Sequence, residues 1–349
     1  MDFYNILITW YLANKRDLPW RNTTNPYHIW LSEIILQQTR VAQGLPYYEA
    51  FIKQFPKVSD LANASQEQVL KTWQGLGYYS RARNLHDTAK HIFNDLNDKF
   101  PDNYKDLLKL KGVGQYTAAA IASFAYNEKI AVVDGNVFRV LARIFGIEDD
   151  ISKIKTRNIF QDLANSLLLD KENNDAALFN QAIMDFGALQ CLPKSPNCVS
   201  CPFNSYCYAY KNDKIDVLPV KLNKTKITDR YFDYIVLKGI DETIKINKRS
   251  GKGIWQGLYE FPLIESETFI PVEEMCNKIE SSYKNEGLLE MYCYESEYYQ
   301  HKLSHQKLFI RFWNVKISQY LHGITMSDID KVAYPIVIAN FIKKNYDKF

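Results

Sequence analysis

Apolar residues return every three or four positions along most of the first 190 residues. In "MDFYNILITWYLANKR", Phe3, Ile6, Leu7 and Trp10 fall on one side of a helix, as an amphipathic α-helix requires. The same period recurs at residues 27–38, 41–54, 66–74, 80–96, 104–110, 115–125, 136–146, 155–169 and 175–189, with turn signals such as "FPKVSD", "QGLG" and "KGVG" between them. From Tyr231 the pattern changes. "RYFDYIVLKGI", "ETIKINKRS", "GIWQGLYEFPLI", "EMYCYESEYY" and "KLFIRFWNVKI" are β-branched and aromatic and predict strands. Residues 271–284 and 334–346 keep a helical period. The stretch 211–230 holds six Lys or Arg against three Asp and few large apolar residues, which is linker composition. The pattern predicts a mainly α-helical N-terminal domain (1–210), a basic linker (211–230) and an α+β C-terminal domain (231–349).

Length agrees with this division: 349 residues at ~100–200 per domain suggest two domains. The 46% hydrophobic and 14% aromatic content is ample for two cores. A net charge of only +3 excludes a broadly basic surface, so any nucleic-acid contact must use local patches such as the linker. No window approaches the ~18 apolar residues of a membrane span. The N-terminal stretch resembles neither a signal nor a transit peptide. A cytoplasmic protein without membrane contact is expected.

Of six cysteines, four cluster in "CLPKSPNCVSCPFNSYC", at Cys191, Cys198, Cys201 and Cys207. Cys276 and Cys293 stand far apart. Four clustered thiols in an intracellular chain suggest a metal centre rather than disulfides. Zinc or a [4Fe–4S] cluster would use four thiolates. Structural zinc favours paired C-x2-4-C knuckles, and only the middle pair has that spacing here. The wider outer loops suit the iron–sulfur cube better.

Other stretches carry chemistry. In "LLKLKGVGQYTAAAIASFAY", Gly112 and Gly114 permit a tight turn, and the free N–H groups opening the next helix can hold an anion. "AVVDGNVFRVLARIF" places Asp134 at a helix start, where it can serve as an N-cap. "HIWLSEIILQQTRV" sets Glu33 on an apolar stripe with Ile29 and Leu36. Burial there would raise its pKa, as a general acid needs; a surface glutamate is the alternative. "GYYSRARNLHDTAKHI" gathers Tyr78, Tyr79, Arg81 and Arg83, rings and cations of the kind that grip an unstacked nucleotide. Tyr79 is expected in the core, and His86 and His91 have no ligand-like partner.

The spacing C-x6-C-x2-C-x5-C after a helical domain resembles the iron–sulfur helix-hairpin-helix DNA glycosylases, the endonuclease III and MutY group. "V-D-x-x-V-x-R" at 133–139, "WLSEIILQQT" and "GLGYYSRARNL" are similar to the MutY branch over nearly the whole chain. That resemblance implies a [4Fe–4S] cluster on the four cysteines and a hairpin around Gly112 and Gly114 that grips a DNA phosphate. It implies Glu33 as the acid on the departing adenine and Asp134 as the carboxylate beside the sugar cation, a two-carboxylate logic shared with glycosidases. Tyr116 stands where the lyase pattern has a lysine, which implies a monofunctional enzyme. Tyr78 would wedge beside the damaged guanine and Gln38 would fill from the other strand side. Trp20, Arg21 and Gln181 would form the adenine pocket.

Residues 231–349 resemble the Nudix-like recognition domain of the same branch. The R-E-x2-E-E-x-G run of active Nudix hydrolases does not follow Gly257, so pyrophosphohydrolysis is not expected. "HKLSHQKL" aligns with the loop that reads 8-oxoguanine, keeping Ser304 and His305 and replacing the usual Phe by Leu303. The implied partner is double-stranded DNA with A:8-oxoguanine or A:G mispairs, bound by a monomer that would be nucleoid-associated in a bacterium. Two rivals stay open at this point: an endonuclease III-like lyase for oxidised pyrimidines, and a non-catalytic iron–sulfur DNA-binding protein.

Overall fold

The structure, a computed structural model, describes residues 2–169, 175–222 and 226–348. In chain order the helices are α1 (Phe3–Asn14), α2 (Pro26–Leu36), α3 (Val41–Gln54), α4 (Val58–Asn63), α5 (Gln66–Thr72), α6 (Ser80–Asp95), α7 (Tyr104–Leu107), α8 (Gln115–Tyr126), α9 (Gly135–Phe145), α10 (Ile154–Leu169), α11 (Ala176–Asp185), α12 (Tyr208–Lys211), α13 (Val272–Tyr283) and α14 (Ile336–Lys344). The strands are β1 (Thr228–Lys238), β2 (Asn247–Lys248), β3 (Tyr259–Glu260), β4 (Leu263–Ser266), β5 (Leu288–Cys293), β6 (Tyr299–Lys302) and β7 (Gln306–Ile317). Two compact units result. One comprises residues 1–63 and 84–223, the other residues 64–83 and 224–349.

The first unit is helical because its apolar stripes face one another. Phe3, Leu7 and Tyr11 of α1 meet Val137, Val140 and Leu141 of α9, Phe160 of α10 and Phe179 of α11. Each fully buried ring of this kind contributes about 1.5–3 kcal/mol. Phe203, in the cysteine loop, stacks on Phe3 at 4.9 Å between centroids and ties that loop to the core. Side-chain caps start the helices: Asn25 for α2, Asp134 for α9 and Asp175 for α11. α11 passes directly into a π-turn, Phe186–Gln190, which delivers the chain to Cys191. Part of the stretch with linker composition belongs here too, since Leu218 is buried and Val220 packs against the same core. Residues 223–225 of that stretch lie outside the described residues.

In the second unit β1 runs parallel to β7, from Thr228 opposite Gln306 to Lys238 opposite Lys316. β4 flanks β1, and β5 and β6 pair antiparallel with β7. One face buries Ile235, Trp313, Val315 and Ile317 against Met275 and Ile279 of α13. A fully buried ion pair joins Arg311 Nε to Asp233 at 2.7 Å, and Trp313 Nε1 donates to the same carboxylate oxygen at 2.9 Å. Residues 64–83 join this unit through polar contacts. Lys248 and Tyr259 donate to Glu67 at 2.9 and 2.8 Å, Lys71 donates to the Val332 carbonyl, and Arg83 donates to the Gln256 carbonyl at 2.7 Å.

Several expectations change in detail. The apolar period gives no sign of α4. The run 242–250 shrinks to β2. Residues 253–258 form a turn rather than a strand, because Gly253, Trp255 and Gly257 all take positive φ. The run 290–299 is interrupted between β5 and β6.

Candidate active site and nucleic-acid interface

α2 is buried along nearly its whole length, and Glu33 is carried inward with it, 5% exposed. The apolar stripe thus takes its one carboxylate into the interior. The Tyr116 hydroxyl, from α8, donates to Glu33 Oε2 at 2.6 Å. Burial pushes the Glu33 carboxyl up to about 7; Asp134 adds to the rise, while the Tyr116 hydroxyl and Arg21 oppose it. Burial, with the two carboxylates beside it, also pushes the Tyr116 hydroxyl well above the usual phenol range.

Asp134 is the N-cap of α9. Its Oδ1 accepts from the Val137 N–H at 2.8 Å and its Oδ2 from Asn136 Nδ2 at 2.9 Å. Burial raises its pKa, and those donors and Arg139 hold the rise back. Glu33, Tyr116, Asp134, Trp20, Arg21 and Gln181 line one cavity of about 470 Å³ in the first unit. The sequence therefore points to residues from five separate segments that the fold brings together.

The pocket residues differ in what holds them. Trp20 packs edge-on against Tyr48 at 5.1 Å. Arg21 is committed to Asp185, donating from both terminal nitrogens at 2.6 Å, and Arg16 pairs with the same carboxylate. Burial alone would raise the Asp185 pKa, but the two guanidiniums hold it below the usual carboxylate range. Gln181 accepts from the buried Tyr11 hydroxyl at 2.8 Å through Oε1. Asp185, Arg16 and Tyr11 were missed in the sequence; the pairing spans 164 to 170 residues, and no local pattern marks it. Asn136 and Arg139 were also passed over. Arg139 donates to the Cys191 carbonyl at 2.7 Å, the Gly187 carbonyl at 2.6 Å and Asn136 Oδ1 at 2.9 Å, so the start of the cysteine loop and the Asp134 cap share one guanidinium.

The hairpin turn between α7 and α8 needs its first glycine. Gly112 has φ +77°, and a Cβ there would stand 2.8 Å from the Asn84 Cβ. Gly114 is extended and caps α8 without a side-chain bond, leaving first-turn N–H groups available to an anion.

Cys191, Cys198, Cys201 and Cys207 line one small chamber with Ile144 and Phe186. Burial pushes the Cys201 thiol up to about 11; the Phe203 N–H opposes, and the neighbouring thiols add to the rise. Burial likewise raises Cys198 and Cys207. Thiols that repel one another's ionisation are ones a bound cation would deprotonate together. Arg143 braces the loop, donating to the Leu192 carbonyl at 2.6 Å and the Pro193 carbonyl at 3.1 Å. Among the described residues no three His, Cys, Asp or Glu side chains are arranged to hold a single metal ion.

The second unit has its own cleft of about 430 Å³, lined by Tyr78, Trp255, Leu303, Ser304 and His305. Tyr78 sits at φ 47°, and its hydroxyl hydrogen-bonds Ser304 Oγ. Arg81, just behind it, faces inward over the Trp73 and Tyr78 rings, and burial lowers its pKa to about 10. Tyr79 is buried as expected. His305 is exposed, and its carbonyl accepts from Thr228. Gln38 is exposed at φ 57° in the turn after α2.

The model of the family described as "HhH-GPD superfamily base excision DNA repair protein" matches residues 31–166, and that of the NUDIX domain matches 234–344. Among solved structures, one titled as a thermostable thymine-DNA glycosylase is 30% identical, with TM-score 0.54, covering 60% of this chain and 95% of that one. Fold and cavity thus define the class, a helix-hairpin-helix base-excision glycosylase with a Nudix-like second domain. The chain is 36% identical over 309 residues to the adenine DNA glycosylase of Buchnera aphidicola subsp. Baizongia pistaciae (strain Bp), covering 88% of this chain and 84% of that protein. It is 42% identical over 216 residues to that of Homo sapiens, covering 59% of this chain and 39% of that protein. The chain belongs to the adenine DNA glycosylase family, and its activity is hydrolysis at N-glycosyl bonds in base-excision repair. The comparisons do not favour the lyase and the non-catalytic readings. No described helix is long and apolar enough to cross a membrane.

Proposed function

We propose that the protein removes adenine paired with 8-oxoguanine or guanine in double-stranded DNA, and that it is monofunctional. The observation that carries this is the buried Glu33, raised to about 7 and sharing a cavity with Asp134. An acid near 7 is protonated often enough to act and gives up its proton readily. The target base leaves the stack and enters the cavity beside Trp20, Arg21 and Gln181. Glu33 donates its proton to adenine N7. The C1′–N9 bond breaks and both its electrons leave with the base, so positive charge appears on the sugar. The Asp134 carboxylate offsets that charge. Water then adds to C1′ and gives its proton to the Glu33 carboxylate, leaving an abasic site, free adenine and the acid restored. Tyr116 keeps Glu33 in place through its hydrogen bond; it offers no amine for a Schiff base. Outside the cavity, the Gly112–Gly114 turn grips a phosphate and Gln38 enters the strand from the side opposite Tyr78.

The four cysteines fit a [4Fe–4S] cluster: all are thiols, they line one chamber, and their mutual repulsion suits a cationic occupant. Cys191, Cys198, Cys201 and Cys207 would hold it, and its iron would fix the loop that Arg139 and Arg143 brace. The domain reading follows the same lines: residues 1–210 apart from 64–83, together with the core-packed part of the linker stretch, serve excision, and 231–349 with 64–83 read the opposite base. In that role Tyr78 stands beside the damaged guanine, with Ser304 and His305 at its edge. The protein acts as a monomer in the cytoplasm, on the nucleoid if bacterial.

The test is product analysis on duplexes bearing A:8-oxoguanine, A:G and thymine glycol. Adenine should be released from the first two, with the strand cut only after alkali. Cutting without alkali, or trapping by borohydride, would reveal an amine nucleophile and overturn the monofunctional reading. Iron and sulfide analysis should find about four of each per chain, and one zinc in their place would overturn the cluster.

A further inference from the structure

Four arginines line the cavity that holds Glu33 and Asp134: Arg16, Arg21, Arg40 and Arg139. Three of them already have protein acceptors. Arg16 and Arg21 share Asp185, and Arg139 donates to the Cys191 and Gly187 carbonyls and to Asn136. Arg40 differs. Among the described residues its guanidinium makes no hydrogen bond and no ion pair, and the residue is exposed. Its backbone is nevertheless fixed. Arg40 stands at the start of α3, extended at φ −71° and ψ 148°. Its carbonyl accepts from the Gln43 and Gly44 N–H groups at 3.0 and 2.9 Å, and the preceding Thr39 N–H donates to the Leu36 carbonyl at 3.1 Å. Leu36 ends α2, so this short turn sets the cation at a defined place relative to Glu33.

Charge makes the uncommitted cation awkward for the chemistry until something is added. With Glu33 protonated, the four guanidiniums face only the carboxylates of Asp134 and Asp185. Excision builds positive charge on the sugar, and a cavity with cations in excess opposes that step. The excess calls for an anion, and DNA brings one with every nucleotide. A guanidinium suits a phosphate because its planar fork donates to two oxygens at once.

We propose that Arg40 takes a phosphate flanking the extruded adenosine, so that the cavity comes nearer to charge balance only when the target strand is in place. Arg40 is then a binding residue for the strand and moves no proton. The assignment rests on the reading that the target base enters this cavity. It does not rest on Glu33 as the acid, because it is tested through binding rather than through bond breaking.

The test uses the full-length protein and a duplex with 8-oxoguanine opposite a 2′-fluoro-adenosine, whose fluorine disfavours the sugar cation and keeps the base attached. Three versions are compared: all phosphates charged, a neutral methylphosphonate on the 5′ side of that adenosine, and one on its 3′ side. Arg40→Gln should weaken binding to the charged duplex about tenfold and lower the slope of log affinity against log salt by about one. Arg40→Lys keeps the charge and should keep the slope. On at least one methylphosphonate duplex the parent and Arg40→Gln should bind alike, because the partner of the lost cation is already gone. If Arg40→Gln leaves the slope unchanged, if Arg40→Lys behaves as Arg40→Gln does, or if the tenfold difference persists on both methylphosphonate duplexes, the proposal is overturned. A parent that releases no adenine from the ordinary A:8-oxoguanine duplex would overturn the excision reading and this assignment with it, a result distinct from the other three.

Discussion

The cavity of the first unit and the cleft of the second unit keep different things away from water. The first buries titratable groups: Glu33 beside Asp134, and the ion pair of Asp185 with Arg16 and Arg21. The second is lined by phenols, an indole and a serine hydroxyl, with Arg83 part-buried and bound to the Gln256 carbonyl and Lys302 exposed. Bond breaking needs groups whose proton affinities have been displaced, and that displacement lowers stability. Reading a base edge needs donors and acceptors that can turn, which hydroxyls provide.

If that division is right, Glu33→Gln should be the most damaging change. Excision should fall ~10²–10⁴-fold while duplex binding persists; a loss under tenfold would break the assignment of chemistry to the first cavity. In the unaltered enzyme the rate should decline as pH rises through about 7, as Glu33 loses its proton.

Asp134→Asn should follow at ~10²-fold or more. Asparagine caps a helix as well as aspartate does, so an unchanged melting temperature with a large rate loss separates charge from fold.

A third change sharpens the contrast through stability. The Glu33 carboxyl has a folded pKa of about 7 against an ordinary 4.5. Its contribution to stability is whole below pH 4.5 and is lost as pH rises through 7. Each pKa unit corresponds to about 1.4 kcal/mol, so the loss is about 3 kcal/mol. Glu33→Gln should therefore be more stable than the parent at pH 8 and lose that advantage near pH 4, as denaturant titrations at the two values would show. Equal stability at pH 8 would mean Glu33 is not held in the dry state its neighbours impose.

The smallest effect belongs to the second cleft. Ser304→Ala should leave the rate on A:G unchanged and lower the preference for A:8-oxoguanine by about fivefold to tenfold. An equal drop on both duplexes would mean the cleft does not read the opposite base.

The helices were legible because burial on one face leaves a period in the sequence. α2, α3, α6, α8 and α9 fall within two residues of expectation. Glu33 was legible for the same reason, as a carboxylate on an apolar stripe. Asp185 was not: an aspartate at the end of α11 looks ordinary until the fold brings Arg16 and Arg21 to it. Residues 64–83 read as one more stretch of the helical domain, yet they cluster with residues 224–349. The contacts responsible, such as Glu67 with Lys248, span more than 180 residues. The arginines of the tyrosine-rich stretch 77–92 read from sequence as cations able to grip a nucleotide. Arg83 is bound to the Gln256 carbonyl, 173 residues away, and Arg81 lies over the Trp73 and Tyr78 rings. The turn at Trp255 escaped because its residue types favour strands while its backbone is left-handed.

Gly187 sits in the π-turn that leads to Cys191, and a Cβ there would stand 2.6 Å from the Asn136 Cβ and 3.1 Å from the Asn136 carbonyl oxygen. Asn136 is the side chain that holds Asp134 Oδ2. One methyl group, neutral and without chemistry of its own, would thus have to displace the residue that holds the Asp134 carboxylate. A screen for inactivating changes would return Gly187→Ala beside changes at Glu33 and Asp134, although alanine can neither give nor take a proton. Part of what looks like catalytic intolerance in this protein is a question of clearance between two backbones.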